Sequence, residues 1–140
     1  MSLFLGIDFG TTGVRSSIID NNKKELINFS VSIDSPLSKG PLVYQNPGLW
    51  WSALIKNLTF LKTKIELNKI EKLSIDGTSG TILITDNFGN PLDNALMYND
   101  ASAVKESKLV ESISDNHPIV STSTNALVRA LSLINKLKKE

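Results

Sequence analysis

At 140 residues the chain is of single-domain length and long enough to bury a real core. With 41% hydrophobic and 21% charged residues it has an ordinary globular composition, and a net charge of +1 gives no electrostatic basis for binding nucleic acid or an anionic membrane. The lack of cysteine excludes disulfides, thiolate metal sites and a cysteine nucleophile, and fits a cytoplasmic setting.

The first residues are apolar, but no basic residues precede them and Asp8 interrupts them, unlike a secretory leader. No apolar run approaches the length of a membrane span. Residues 3–19 read as two apolar strands joined by a tight polar turn. Leu3, Phe4, Leu5 and Ile7 make the first run, and Val14, Ile18 and Ile19 belong to the second. Between them lie Asp8, Gly10, Thr11, Thr12 and Gly13. Glycines this close supply the positive φ angles of a tight hairpin and let backbone N–H groups approach a ligand. The threonines add hydroxyls, and successive turn N–H groups form a concave anion site. Asp8 falls at the end of a buried strand, where a carboxylate needs a partner such as a hydrated Mg²⁺ ion. A purely structural hairpin is the alternative.

Residues 20–24 are a polar turn, and residues 25–33 alternate as a third strand, so the chain opens with an antiparallel three-stranded meander. Residues 34–46 read as a long loop marked by Pro36, Gly40 and Pro41. Asn46 and Pro47 start a helix that runs to about residue 67, with Asn as cap and Pro at its first position. Trp51, Leu54, Ile55, Leu58, Leu61 and Ile65 form its apolar face, and Trp50 and Trp51 are read as core. Residues 70–76 and 81–85 read as strands on either side of Gly77-Thr78-Ser79-Gly80. Residues 92–98 read as a further short strand after a turn at 87–91.

A polar helix follows over 100–114, with Asp100 as N-cap and Val104, Leu109, Val110 and Ile113 as its apolar members. After a loop over 116–123, residues 125–140 read as a last helix with Leu127, Leu131, Leu133, Ile134 and Leu137 apolar. Thr124 or Asn125 caps it, and Lys136, Lys138 and Lys139 suit its C-terminal dipole. The order of strands, helix, strands and helices indicates a mixed α/β layer fold.

Ile7-Asp8-Phe9-Gly10-Thr11-Thr12 resembles the first phosphate-binding segment of the actin-like ATPase superfamily, which spans sugar kinases, Hsp70-type chaperones, actin and hexokinase. That resemblance implies that Gly10, Thr11, Thr12 and Gly13 hold the ATP phosphates and that Asp8 contacts Mg²⁺ through water. Residues 73–100 narrow the branch. Asp76-Gly77-Thr78-Ser79-Gly80, Asp86, Gly89-Asn90-Pro91-Leu92 and Tyr98-Asn99-Asp100 follow in order. They resemble the sugar-facing turn, strand-end acid, G-x-P-L turn and aromatic-x-D-x-R segment of the FGGY family of carbohydrate kinases. Tyr44-Gln45-Asn46-Pro47 with Trp50 and Trp51 resembles the family's lead-in to its first helix. Ser121-Thr122-Ser123 and residues 127–137 resemble its Ser-rich loop and following helix. The wording is similar to the xylulokinase-like and ribulokinase-like members.

The resemblance implies a ribonuclease-H-like, actin-like ATPase α/β fold whose mixed sheet opens with the three-stranded meander and is flanked by helices. Residues 1–140 then form the N-terminal portion of the sugar-binding domain, an incomplete fold without the family's C-terminal domain. The implied reaction moves the γ-phosphate of ATP to a sugar, a pentulose such as xylulose or ribulose, with ATP and Mg²⁺ as cofactors. Gly77, Thr78, Ser79 and Asp100 face the sugar on this reading; Asp100 is equally an N-cap, and residues 77–80, taken apart from this motif order, would be a plain strand turn. Ser102 stands where the family has Arg. No residue matches the family's catalytic base, which lies beyond the point matching Glu140, so the chain alone is expected to be inactive. Arg15 reads as a solvated strand residue or an aid to charge neutralisation, and His117 as a loop residue. The implied partners are the small-molecule sugar and either the C-terminal part of the kinase or a second copy of the chain, not nucleic acid or a membrane. Two other classes stay open: a non-catalytic sugar-binding or interaction module, and an Hsp70-like ATPase fragment.

Overall fold

Apolar residues at alternate positions fix the first strand. Leu3, Leu5 and Ile7 are all buried, as period-two burial of one sheet face requires. The computed structural model describes residues 2–115, 117 and 119–138. In chain order the strands and helices are β1 (Leu3–Gly10), β2 (Gly13–Asp20), β3 (Glu25–Ser32), β4 (Leu37–Lys39), β5 (Leu42–Gln45), α1 (Pro47–Lys62), β6 (Ile70–Gly77), β7 (Ala95–Leu96), α2 (Val104–Ile113) and α3 (Ala126–Leu137). They divide into two compact units, the first built from residues up to Ser35 and from Gly48–Thr78, the second from Pro36–Pro47 and from Ser79 onward.

The first unit is a four-stranded mixed sheet in the order β3-β2-β1-β6, covered on one face by α1. The expected meander forms: β1 pairs antiparallel with β2 and β2 with β3, while β6 runs parallel to β1. Leu3, Leu5, Ile7, Val14 and Ile18 pack with Ala53 and Leu61 of the helix, and Phe29 of β3 stacks on Phe60 with ring centroids 3.8 Å apart. Asn57 is buried in the same layer. It donates to the carbonyls of Val14 and Ala53, and its Oδ1 accepts from Ser16 Oγ at 2.8 Å.

Of the apolar face expected for α1, Leu54, Leu58, Leu61 and Ile65 pack on this core as read, and the polar pair takes the place of the other two. Trp50, Ala53, Asn57 and Leu61 turn inward, whereas Trp51 and Ile55 are exposed. The helix also stops at Lys62, not near residue 67, because the amides of Thr63 and Lys64 bond back to Phe60 and Leu61 in a tightened last turn. Strand β6 is an edge strand. Its Leu73 and Ile75 stand in register with Leu5 and Ile7 yet are more than half exposed.

The second unit holds a small sheet, β4-β5-β7, and the helices α2 and α3. The expected loop over 34–46 is in fact the hairpin β4-β5, turned at Gly40, whose φ of +59° suits glycine. Its ladder is too short to show a period. Residues 81–85 are not a strand: they make only the single bridges Ile82–Leu96 and Thr85–Pro91. The Asp86 carboxylate takes the amides of Phe88 and Asn90, so the segment closes early into a turn. The strand expected over 92–98 shrinks to Ala95–Leu96: after Met97 donates to Val43, the Asp100 amide bonds back to the Met97 carbonyl and turns the chain off the ladder.

Helix α2 begins at Val104, with Ala103 at the cap position, so Asp100 is not its N-cap. Ala103, Val110 and Val128 form the core between α2 and α3, whereas Val104, Leu109, Ile113, Leu127 and Ile134 remain exposed. Asn125 caps α3, its side chain accepting from the Leu127 amide at 2.9 Å. Within the expected loop and last helix, Asn116, Pro118, Lys139 and Glu140 lie outside the described residues. Among the described residues no helix is long and apolar enough to cross a membrane.

Candidate functional site

The first unit brings the hairpin residues to one end of its sheet. Gly10 and Gly13 face each other across the closing pair of β1 and β2, with Thr11 and Thr12 as the turn. Neither glycine has a positive φ, which corrects the expected reason for them. Crowding is the cause instead. A Cβ on Gly13 would lie 2.9 Å from the Val31 carbonyl oxygen, and one on Gly10 would lie 2.6 Å from Arg15 Nη1 and 3.2 Å from the Gly13 carbonyl oxygen. Two of the turn's carbonyls are tied down from behind: Gly10 accepts from Trp50 Nε1 at 3.1 Å, and Thr12 from the Ile33 amide at 3.0 Å. The turn is thereby fixed before any ligand arrives. Trp50 was read only as core; that a half-buried indole N–H requires an acceptor was the signal that it does more.

Asp8 stands on the polar face of the sheet, in a row with Arg15 of β2 and Asp76 of β6. Arg15 Nη1 donates to Asp8 Oδ2 at 2.9 Å, and both side chains are about half exposed. The partner of Asp8 is thus Arg15, and its desolvation is slight. Asp76, opposite Asp8 in the parallel register, adds a second carboxylate, whose Oδ1 accepts from the Gly77 amide at 2.8 Å. Asp8, Arg15, Ser17, Asn28, Ser74 and Asp76 line a shallow cavity of about 290 Å³ on this face. Among the described residues no group of three or more His, Asp or Glu gathers as a metal cage. Arg15 bonds to Oδ2 of Asp8, and two carboxylates, Asp8 and Asp76, beside the turn fit Mg²⁺, which keeps several waters and is held by one or two carboxylates with phosphate oxygens.

Gly77 and Thr78 also belong to the first unit. The Thr78 amide donates to the Phe9 carbonyl at 3.1 Å, extending the β1–β6 pairing by one residue. This places Thr78 Oγ1 3.4 Å from Thr11 Oγ1, so the hairpin and the Gly77 turn converge. Ser79 and Asp100 belong to the second unit. Asp100 is fully buried, and its carboxylate accepts from the Val43 amide at 2.7 Å, the Ser102 amide at 3.2 Å and Ser102 Oγ at 2.8 Å. Gly80 has a φ of +78°, and an added Cβ there would sit 3.4 Å from Arg129 Nη2. Burial pushes the Arg129 guanidinium below its ordinary pKa, with Asp100 opposing that shift. His117 is exposed, its amide and carbonyl engaged only in turn hydrogen bonds.

Residues 3–138 match the model of the N-terminal domain of the FGGY family of carbohydrate kinases. The xylulose kinase of Staphylococcus xylosus is 25% identical over 116 residues, covering 83% of this chain and 23% of that protein. The glycerol kinase of Aquifex aeolicus is 27% identical over 133 residues, covering 88% of this chain and 27% of that protein. This chain therefore spans about a quarter of the length of these relatives. Among solved structures, a ligand-bound xylulose kinase from Lactobacillus acidophilus superposes with a TM-score of 0.82 at 19% identity, over 99% of this chain and 29% of that one. The glycerol kinase of Plasmodium falciparum with ADP superposes with a TM-score of 0.76, also at 19% identity, over 96% and 29%. These likenesses establish the fold as that of the FGGY sugar kinases, the actin-like ATPase fold. With the family model matching nearly its full length, the chain belongs to the FGGY family of carbohydrate kinases.

Proposed function

We propose that this chain is the N-terminal, phosphate- and sugar-contacting portion of an ATP-dependent kinase acting on a pentulose such as xylulose or ribulose. The observation that carries the reading is the 3.4 Å approach of Thr11 Oγ1 to Thr78 Oγ1. Phosphoryl transfer requires the γ-phosphate and the accepting hydroxyl to be held side by side, and here a phosphate-type turn meets the Gly77 turn. Gly10, Thr11, Thr12 and Gly13 hold phosphate oxygens through hydroxyls and backbone N–H groups. Asp8 orients a water of Mg²⁺. The ion, when bound, neutralises charge on the β- and γ-phosphoryl oxygens. Arg15 adds a fixed cation at the same strand end. Gly77, Thr78 and Ser79 offer donors and acceptors to sugar hydroxyls, an array that rejects analogues lacking the matching hydroxyl. Asp100, read as a sugar contact, is buried on the Val43 and Ser102 amides, and its part on the sugar side would be to hold that segment in shape.

No residue here fills the place of the family's base, so the chain alone is expected to bind without turnover. The sugar and a C-terminal kinase portion, or a second copy of the chain, are its partners on this reading, and a chain without cysteine suits the cytoplasm. Calorimetry with MgADP and with xylulose or ribulose, beside a coupled ADP-release assay, tests the proposal. The expected result is binding of both ligands and no ADP release above background. Asp8→Ala is expected to weaken MgADP binding about tenfold or more while leaving the fold, because the carboxylate serves the ion and its Arg15 pair is solvent-screened. Unchanged nucleotide affinity in Asp8→Ala would remove the metal role. Sugar binding without any nucleotide binding would favour a sugar-binding module instead, and peptide-stimulated ATP hydrolysis a chaperone-type ATPase.

A further inference from the structure

Arg129 has the largest fully buried side chain among the described residues. It sits in the first turns of α3, where an apolar residue would pack at far lower desolvation cost. Its guanidinium reaches the segments on which the sugar side of the second unit depends. Nη1 donates to the Met97 carbonyl, just before Tyr98. Nη2 faces Gly80, whose missing Cβ leaves it room. Asp100 supplies the compensating charge, although its oxygens are bonded to Val43 and Ser102, and among the described residues no hydrogen bond joins the two side chains. Arg129 Nε has no hydrogen-bond partner among the described residues. A buried cation with an unmet donor is not explained by stability, since one polar contact and one charge at a distance offset little of its desolvation. Ser102, which bonds Asp100, is uncharged, and the cation that acts on Asp100 is Arg129 of α3.

We propose that Arg129 is a positioning residue for the sugar side of the site: held on the Met97 carbonyl and beside Asp100, its guanidinium braces the Gly80 turn and thereby sets Ser79 and the Asp100 cluster. This rests on the reading of Ser79 and Asp100 as belonging to the sugar site. Two effects follow. Loss of the guanidinium loosens the amides that Asp100 holds, and it weakens sugar binding without touching nucleotide binding, which belongs to the Gly10–Gly13 turn.

The test uses this chain with Arg129→Lys, Arg129→Met and Gly80→Ala. Xylulose and MgADP affinities are measured by calorimetry, and amide hydrogen exchange is followed at Val43 and Ser102, the amides bonded to Asp100. Arg129→Met is expected to weaken xylulose binding about tenfold and to raise exchange at these amides by about tenfold or more, with MgADP affinity unchanged. Arg129→Lys keeps the charge and is expected to restore most of the exchange protection. Gly80→Ala strains the turn itself, whose φ of +78° disfavours any Cβ, and is expected to weaken xylulose binding by distorting the segment that Arg129 braces; Arg129→Lys decides the matter if Arg129→Met does not fold. Unchanged xylulose affinity and unchanged exchange in the folded variants overturn the proposal. So does equal loosening of the whole second unit by Lys and Met, which marks simple packing. If the native chain binds no xylulose, the kinase reading falls, while exchange at Val43 and Ser102 still decides whether Arg129 positions Asp100.

Discussion

Under α1 the first unit buries a neutral polar set, Ser16 answering Asn57 and Asn57 answering the carbonyls of Val14 and Ala53, while its buried acid, Asp20 at the end of β2, is met by the Asn22 and Lys24 amides of the turn beside it. The second buries charge, Asp100 against two amides and a hydroxyl and Arg129 against one carbonyl. A neutral hydrogen bond exchanged for one to water changes stability by only about 0.5–1.5 kcal/mol, but a buried charge stripped of its partner costs about 3–5 kcal/mol. The first unit is therefore held by apolar burial with polar groups merely satisfied. The second depends on its charged cluster being complete.

The sharpest way to break that contrast is to remove one member from each set. Asp100→Ala leaves the Val43 amide, Ser102 and the Arg129 charge without their acceptor, and is expected to cost about 3–5 kcal/mol in urea unfolding. Asn57→Ala removes the closer acceptor of the Ser16 hydroxyl, which keeps only a 3.5 Å bond to the Phe29 carbonyl, and a donor to the Val14 carbonyl, at about 1–3 kcal/mol. Equal losses would mean that the second unit's charges are better solvated than their burial implies.

The hairpin offers the next test, inside the first unit alone. A Cβ on Gly13 meets the backbone of Val31, which cannot move without parting β2 from β3, so Gly13→Ala is expected to cost about 1–3 kcal/mol. At Gly10 the nearest obstacle is the end of the Arg15 side chain, which can swing away, so Gly10→Ala should cost less and release Asp8 from its ion pair. If Gly10→Ala proves the more damaging, the Gly13 carbonyl, 3.2 Å from the added Cβ, is the true constraint.

The same contrast explains what was legible in the sequence. The first unit's strands are eight residues long, and β1, β2 and β3 alternate, so their pattern shows in the sequence; β1 runs on past Asp8 to Gly10, and β6, which does not alternate, shows only as an apolar-rich run. In the second unit β4, β5 and β7 are two to four residues long, too short for a period. Side-chain turns at Asp86 and Asp100 override the β-branched run over 81–85. The hairpin motif could be read, but not the reason for its glycines, since φ and crowding look alike in a sequence. The apolar period of α1 locates Leu54, Leu58, Leu61 and Ile65 but not the buried Asn57, because a polar residue leaves no mark on an apolar period, and Trp51 and Ile55 lie outside the core. Arg129 was invisible for the same reason: an Arg in a helical stripe reads as solvated, and only the distant Met97 and Asp100 make it a core residue.

The smallest expected effect lies at the surface of the second unit, where Lys136 pairs with Asp93. The hydrogen bond from Lys136 holds the Asp93 carboxyl below the usual carboxylate range. A carboxylate whose folded pKa is depressed stabilises the fold above its unfolded pKa of about 3.9, and that contribution is lost as the pH falls through the lower folded value. The Lys136 side chain is 57% exposed and that of Asp93 33%, so solvent screens the pair and its worth at pH 7 is below about 1 kcal/mol. Lys136→Met should therefore show a small stability loss in urea at neutral pH and low salt, and the difference from the native chain should vanish once acid has protonated Asp93. A loss of the same size at both pH values would come from the packed methylenes of Lys136 and not from its charge. Charge in the second unit would then matter only where it is buried.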